Sequence, residues 1–202
     1  MTITGKTDRL SRLCPAGYFI AIRMGFFFPV FETSTLPPAW VTRYTSRGYM
    51  VADPVMHWCH RNTGAVRWSE IALDDPRDVM GHARRHGLHF GCAASCTDPD
   101  DAGQRSFGTF AHGEREFTAA EMGEIRDLLE DIHIAMVPPR NLTAAELEAL
   151  RLVKNGLLMK EIANLLGVTE SAVKQRLKNA KNKLRAKTSA QAATMATSFG
   201  LI

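Results

Sequence analysis

The chain has 202 residues, 45% of them hydrophobic, with 25 Lys and Arg against 21 Asp and Glu and a net charge of +4, a length that allows one or two domains at ~100–200 residues each. Lys6, Asp8, Arg9 and Arg12 interrupt the start before any apolar run, so no signal peptide is expected, and the most apolar stretch, Tyr18 to Phe31, is broken by Arg23, Gly25 and Pro29, short of the ~20 residues a membrane helix needs. Four cysteines (Cys14, Cys59, Cys92, Cys96) without an export signal are expected to be reduced thiols in a cytoplasmic protein without a membrane partner.

Up to Met136, strand-like and helix-like patterns alternate. Tyr18–Met24 and Phe26–Glu32 are rich in aromatic and branched residues and meet around Gly25, a hairpin pattern. Pro37 and Pro38 punctuate the chain, and a helix is expected from Ala39 to Arg47. Asp53-Pro54 opens another to about Asn62, since Asp before Pro is a common helix N-cap. Val66–Ser69 reads as a short strand and Asp78–His86 as a helix stopped by Gly87. Leu88–Ser95 and Gln104–Ala111 are further strands around the polar turn Thr97–Gly103. Thr118 and Glu121 form a capping box, stapled by Phe117 and Met122, at the head of a helix reaching about His133. The predicted class is α+β: an N-terminal α-β-α sandwich on an antiparallel sheet.

Val137-Pro138-Pro139-Arg140-Asn141 is the expected linker, because two prolines stop the preceding helix and keep the chain extended. The expected division is therefore 1–136, a linker at 137–141, and a second domain at 142–202.

That second domain reads as an all-α, tetrahelical helix-turn-helix. Thr143 and Glu146 form a capping box flanked by the staple Leu142–Leu147. Leu147, Leu150 and Val153 make one face of a helix that stops at Gly156. A second short helix carries Ile162, Leu165 and Leu166. Gly167 makes the turn, and Thr169 caps the third helix. There Val173, Leu177, Ala180 and Leu184 recur at i, i+4, i+7 and i+11, a buried stripe. Lys174, Lys178, Lys181 and Arg185 repeat one residue further on, joined by Arg176 and Lys183. A final alanine-rich helix is expected over about Ser189–Phe199. Its Ala190, Ala193 and Ala196 either form part of a dimer contact or pack onto their own domain.

A charge run is commonly just a solvated face. Here counter-charges are missing: residues 141–202 hold ten Lys and Arg against four Asp and Glu, a net of +6, leaving −2 for residues 1–140. Such asymmetry marks a nucleic-acid face on one domain. The motif's second helix lies in the major groove with its N-terminal half near base edges. Ser171, Lys174, Gln175 and Lys178 are thus the base-reading candidates. Lys181, Lys183 and Arg185 are assigned to phosphates, with Arg176 adding to the cationic surface. One such helix reads only a few base pairs, so a homodimer on a dyad-symmetric duplex site is expected. RNA polymerase is a candidate further partner.

Other chemistries fit less well. Ser95 and Cys96 lack a nucleophile elbow, no phosphate-binding fingerprint is present, and the acid pairs Asp74-Asp75 and Asp100-Asp101 read as loop and helix-start residues. No catalytic residue and no cofactor is expected. Cys59-His60 and Cys92-xxx-Cys96 could in principle bind zinc as a metal or redox sensor, but the spacing is not a zinc knuckle, and no metal site is assigned. The run EIANLLGVTESAVKQRLKNAKNKLR also resembles the promoter-reading motif of extracytoplasmic sigma factors, which would require residues 1–140 to be all-helical.

Trp40-xxx-Tyr44-xxxx-Tyr49-xxx-Asp53-Pro54, Trp68 in VRWSE, and Gly91 resemble the autoinducer-binding domain of LuxR-family quorum-sensing transcription regulators. Glu146, Leu150 and Gly156 fall on characteristic positions of that family's helix-turn-helix. The resemblance covers roughly Leu10 to the end. It implies an N-acyl-homoserine lactone, or a related small amphiphilic signal, held between sheet and helices. Trp40 would donate to the lactone carbonyl, Asp53 would accept from the amide N–H, and Tyr44 and Trp68 would line the pocket. This sequence departs from the family at Leu36, where a tyrosine commonly stands. Its start is shorter by about one helix. The hydroxyl for the acyl carbonyl is left between Ser106 and Thr109. The alternative is a regulator on the same scaffold that takes a different ligand or none.

Overall fold

The computed structural model describes residues 2–24, 28–98 and 104–202. The turn expected at Gly25, the acid pair Asp100-Asp101 and most of the polar turn before Gln104 lie outside them. The chain forms two compact units, Met1–Met136 and Val137–Ile202.

In the first unit, α1 (Ile3–Leu13) precedes β1 (Gly17–Met24), β2 (Pro29–Ser34), α2 (Pro38–Ser46), α3 (Pro54–Arg61), β3 (Gly64–Arg67), α4 (Val79–Arg84), β4 (Phe90–Thr97), β5 (Arg105–His112) and α5 (Ala119–Ala135). The five strands form one antiparallel sheet in the order β2-β1-β5-β4-β3. An all-helical first unit, and with it the sigma-factor reading, is set aside by this sheet.

Strand alternation sends successive side chains to opposite faces. One face is filled with large groups, Tyr18, Ile20, Ile22 and Phe110, packed against Leu10 of α1 and Ile125, Leu129 and Ile132 of α5. The other face carries Phe19 and Phe107 among the smaller Ala21, Gly91, Ala93, Thr109 and Ala111, opposite α2, α3 and α4. Small side chains there leave room between sheet and helices.

Local chemistry explains most boundaries. Asp53 caps α3 by accepting from Val55 N at 2.8 Å. Thr118 and Glu121 close the expected box on α5. For α4 the carboxylate is Asp75, which accepts from Val79 N and Met80 N at 2.7 and 2.8 Å, and the helix begins at Val79 rather than Asp78.

Three expectations are corrected. The strand expected over Val66–Ser69 ends at Arg67, and Trp68–Glu70 is a 3-10 turn. The strand expected from Leu88 starts at Phe90. Helix α1 has no counterpart among the expected elements; it is clasped to α5 by Lys6–Asp131 at 2.9 Å and Arg9–Glu124 at 2.5 Å.

The second unit contains α6 (Ala144–Lys154), α7 (Met159–Leu166), α8 (Glu170–Leu184) and α9 (Ser189–Ser198). Its core joins Leu150, Ile162, Val173, Leu177, Ala180 and Leu184, the stripe expected on α8. Gly167 takes the left-handed conformation, φ +64°, that the tight α7–α8 turn requires. Ala193 and Ala196 are buried against their own domain, so neither is free for a dimer contact; Ala190 remains exposed. Among the described residues no helix is long and apolar enough to cross a membrane.

Candidate functional site

The room between sheet and helices is a cavity of about 350 Å³. Its walls include Phe19 and Thr109 from the sheet, Leu36, Trp40 and Tyr44 around α2, Asp53 and Met56 around α3, Trp68, and Leu88. All four residues expected at a ligand site, Trp40, Tyr44, Asp53 and Trp68, therefore meet at one place. Their convergence follows from the local signals: Pro38 starts α2, which carries Trp40 and Tyr44 one turn apart, and Pro54 starts α3 directly after Asp53.

Trp40 and Tyr44 meet edge to face at 5.4 Å, and Tyr49 closes the cluster at about 6 Å from both. Behind them His82 stacks on Tyr49, and the Arg77 guanidinium lies 5.2 Å from the Tyr49 ring centre. Spacing alone gives Tyr49 no role beyond membership of the motif; its place as the back wall of the aromatic box emerges from the packing.

Asp53 is 6% exposed. One carboxylate oxygen accepts from Val55 N and the other from the Tyr44 hydroxyl, each at 2.8 Å. Burial raises its carboxyl above the ordinary range, against the pull of those bonds. Burial likewise raises the Tyr44 phenol, helped by the neighbouring Asp53 charge. The Met56 backbone N–H also pulls on this carboxylate, and of its roughly four lone-pair sites one is left to accept a further N–H. The Trp40 indole N–H has no partner among the described residues, and the Trp68 indole N–H is buried and unpartnered. A largely apolar cavity with an acceptor to spare and two unpaired donors suits a small amphiphile carrying an amide and a carbonyl.

Of the two candidate hydroxyls, Thr109 lines the cavity, whereas Ser106 is buried on the opposite face of the sheet. There Ser106 Oγ accepts from Arg23 N at 2.8 Å and meets His133 Nδ1 at 2.7 Å. His133 Nε2 lies 2.9 Å from Asp98, which also grips the Arg23 guanidinium at 2.8 and 2.9 Å. Arg23 reaches this side because β1 bulges between Ala21 and Met24, with Arg23 itself at φ +53°. Without the bulge, strand alternation would aim Arg23 towards the cavity face.

Gly91 underlies Trp68: a Cβ there would sit 2.5 Å from ring atoms Cδ2 and Cζ2. Gly91→Ala is expected to displace the rigid indole, lowering stability by ~1–3 kcal/mol as overpacking does and narrowing the cavity. A melting-point comparison checks it, and an unchanged melting point would show that the ring yields freely.

The thiols do not form a site. Cys59 packs on the cavity side of the sheet and Cys14, Cys92 and Cys96 on the α5 side. Burial pushes Cys14, Cys59 and Cys96 up to about 12, a range in which thiolate chemistry is suppressed. Among the described residues no three His, Cys, Asp or Glu side chains are placed to hold a metal ion.

On α8, Ser171, Lys174, Gln175 and Lys178 are exposed, as is Arg185 at its C-cap, while Arg176 and Lys181 are half-buried. Lys174, Arg176, Lys178, Lys181 and Arg185 have no acidic partner among the described residues. Gln175 donates to Asn179 at 2.8 Å. Lys183 departs from expectation: its ammonium lies 2.8 Å from the Asn141 carbonyl and 2.9 and 2.8 Å from the two Glu146 oxygens. All three of its N–H donors are thereby committed. It clamps α8 to the capped start of α6, where Glu146, 4% exposed, also accepts from Thr143 N.

Comparison with known proteins agrees with this architecture. Residues 29–135 match the family described as "Autoinducer binding domain", and residues 140–196 match "Bacterial regulatory proteins, luxR family". The chain is 29% identical over 177 residues to regulatory protein SdiA of Escherichia coli, covering 82% of this chain and 74% of SdiA. It is 29% identical over 181 residues to the quorum-sensing regulator RhlR of Pseudomonas aeruginosa, covering 83% and 74%. A crystal structure of E. coli SdiA superposes with a TM-score of 0.54 at 23% identity, covering all of this chain and 92% of the other. SdiA in complex with octanoyl-rac-glycerol gives a TM-score of 0.52 at 24% identity, covering 100% and 90%. The protein thus belongs to the luxR family of bacterial regulatory proteins, as a DNA-binding transcription regulator with an autoinducer-binding domain rather than an enzyme.

Proposed function

We propose that the cavity takes an N-acyl-homoserine lactone or a closely related acylated amphiphile. On this reading Trp40 N–H donates to the lactone carbonyl, the Asp53 carboxylate accepts from the amide N–H, and Thr109 donates to the acyl carbonyl. Tyr44 and Trp68 hold the head group between ring faces. The observation that carries the reading is Asp53, a buried carboxylate at the wall of a largely apolar cavity with acceptor capacity to spare. SdiA, solved with octanoyl-rac-glycerol, takes an acylated amphiphile on the same fold, which supports the ligand class. Leu36 supplies no hydroxyl to the head group, so ligands are expected to bind more weakly than in relatives with a tyrosine there.

Asp53→Asn is the sharp test. Asparagine keeps the oxygen that caps Val55 N but turns an NH₂ towards the ligand amide. A hydrogen bond to a charged group is worth ~1.5–3 kcal/mol, so affinity should fall at least about tenfold. The empty protein should be as stable as wild type or more so, because a costly buried charge is gone. The pH dependence has a definite sign. With its folded pKa raised, Asp53 favours folding at acid pH, and this contribution is lost as pH rises from the unfolded towards the folded value. A ligand N–H prefers the carboxylate, so affinity should weaken as pH falls through that raised pKa, and Asp53→Asn should abolish the trend. Calorimetric titration of the full chain with a panel of acyl-homoserine lactones measures both. No binding by any member would end the lactone reading.

In the same proposal the chain acts in the cytoplasm as a homodimer on a dyad-symmetric duplex and communicates with RNA polymerase. Ser171, Lys174, Gln175 and Lys178 read bases, while Arg176, Lys181 and Arg185 hold phosphates.

A further inference from the structure

Two side chains on the edge strand give the cavity a feature that a plain hydrocarbon tail does not need. The β1–β2 register sets Glu32 opposite Ala21 and Ser34 opposite Phe19, on the sheet face that looks towards the cavity, and both residues line it. Both are exposed, as are the lining residues Val41 at 38% and Met50 at 51%. The cavity therefore meets solvent between β2 and α2. Trp40 and Asp53, both buried, line the same cavity, so a ligand with its head at Asp53 and its chain leaving by this opening would pass Glu32.

Glu32 has no cationic or hydrogen-bonding partner among the described residues. Each methylene leaving water favours binding until the chain reaches the mouth. There an alkyl end strips water from a carboxylate and returns no hydrogen bond. A hydroxyl or ammonium at that position would donate to Glu32, with Ser34 beside it as a second polar contact.

We propose that Glu32 sets chain-end specificity, so that the preferred signal is an acylated amphiphile whose chain ends in a hydrogen-bond donor, hydroxyl or ammonium, received by Glu32 and Ser34 at the mouth of the cavity. The proposal rests on the ligand reading above.

Its test uses the full-length protein and three N-octanoyl-homoserine lactones of one chain length: unsubstituted, ω-hydroxylated and ω-aminated. Calorimetry should rank ammonium first, hydroxyl second and plain alkyl last, with about tenfold between the extremes. The ammonium advantage should shrink with added salt. Glu32→Gln should remove that advantage and keep the hydroxyl's, while Glu32→Leu should put the plain chain first. Ser34→Ala provides a second variant; its Oγ also accepts from Leu36 N at 3.3 Å, so the readout is the ranking of the three ligands, in which the preference for the two polar ends should shrink. Equal or alkyl-first affinities in the wild type, or an order unchanged by Glu32→Leu, overturn the chain-end proposal and leave the lactone reading standing. Failure of all three ligands to bind overturns the lactone reading and the proposal with it.

Discussion

Replacing Asp98 with alanine is expected to destabilise the first unit by about 1–3 kcal/mol, less than for a fully buried ion pair because the Asp98 side chain is 28% exposed. Arg23 is 3% exposed, and both terminal nitrogens of its guanidinium bond Asp98. Taking the carboxylate away leaves the guanidinium with only the His133 carbonyl and Gln104 Oε1 as partners. His133, 4% exposed, loses the acceptor for its Nε2–H in the same step. Replacing both Arg23 and Asp98 with apolar residues should be milder than Asp98→Ala alone, since no unpaired charge remains. All three tryptophans, Trp40, Trp58 and Trp68, lie in the first unit, so urea unfolding followed by tryptophan fluorescence reports on that unit alone. A loss below 1 kcal/mol would mean that Arg23 finds another anion or water.

The same cluster fixes an acid-side pH dependence. The Arg23 hydrogen bonds hold Asp98 down to about 2. Its contribution is therefore complete above the ordinary Asp range near ~3.9 and is lost as pH falls towards the folded value. Burial lowers His133 below the ordinary imidazole value. The unfolded chain takes up a proton below ~6.5, so this contribution too is lost as pH falls. Stability should drop in two stages on acidification, and Asp98→Ala should shrink the lower one, to which Glu121, held down to about 2 by its Arg115 hydrogen bonds, also contributes.

How much of the fold and the site is legible in the sequence depends on where the determining contacts lie. Helices α3, α5, α6 and α8 announce themselves through Asp53, Thr118, Thr143 and Thr169, whose capping partners lie within three residues. The four cavity residues are identified through the family resemblance, and Pro38 and Pro54 fix where α2 and α3 begin and hence where Trp40, Tyr44 and Asp53 stand. What does not show is tertiary. Helix α1 has a weak apolar pattern, and its ion pairs reach Glu124 and Asp131, more than a hundred residues away. Trp68 has the aromatic character of a strand residue, yet it leaves the sheet to lie over Gly91. Arg23 looks like an interruption in an apolar run; its bulge and its partners Asp98 and His133 come from three separate segments. Lys183 belongs by spacing to the cationic stripe, but the buried Glu146 one helix away claims it.

The reassignment of Lys183 sharpens what mutation of α8 should do to DNA binding. Lys174 is exposed in the N-terminal half of the helix and has no acidic partner. If it contacts a base edge, Lys174→Ala should lower affinity for the cognate duplex by ~1–3 kcal/mol per recognition helix. In a dimer that counts twice, and random duplex should be affected much less. Lys181→Ala should weaken all sequences alike and lower the slope of log affinity against log salt by ~0.9 for each phosphate no longer neutralised. Lys183→Ala should leave that slope unchanged, because its ammonium already neutralises Glu146. Its effect should instead appear as a lower melting point of the second unit, since a buried carboxylate left with fewer partners costs ~1–3 kcal/mol. Salt-dependent binding isotherms on cognate and random duplexes, with thermal melts of the three variants, separate these roles. A salt slope for Lys183→Ala lowered as much as for Lys181→Ala would return Lys183 to the phosphate-binding set. Equal losses on both duplexes for Lys174→Ala would remove it from base readout.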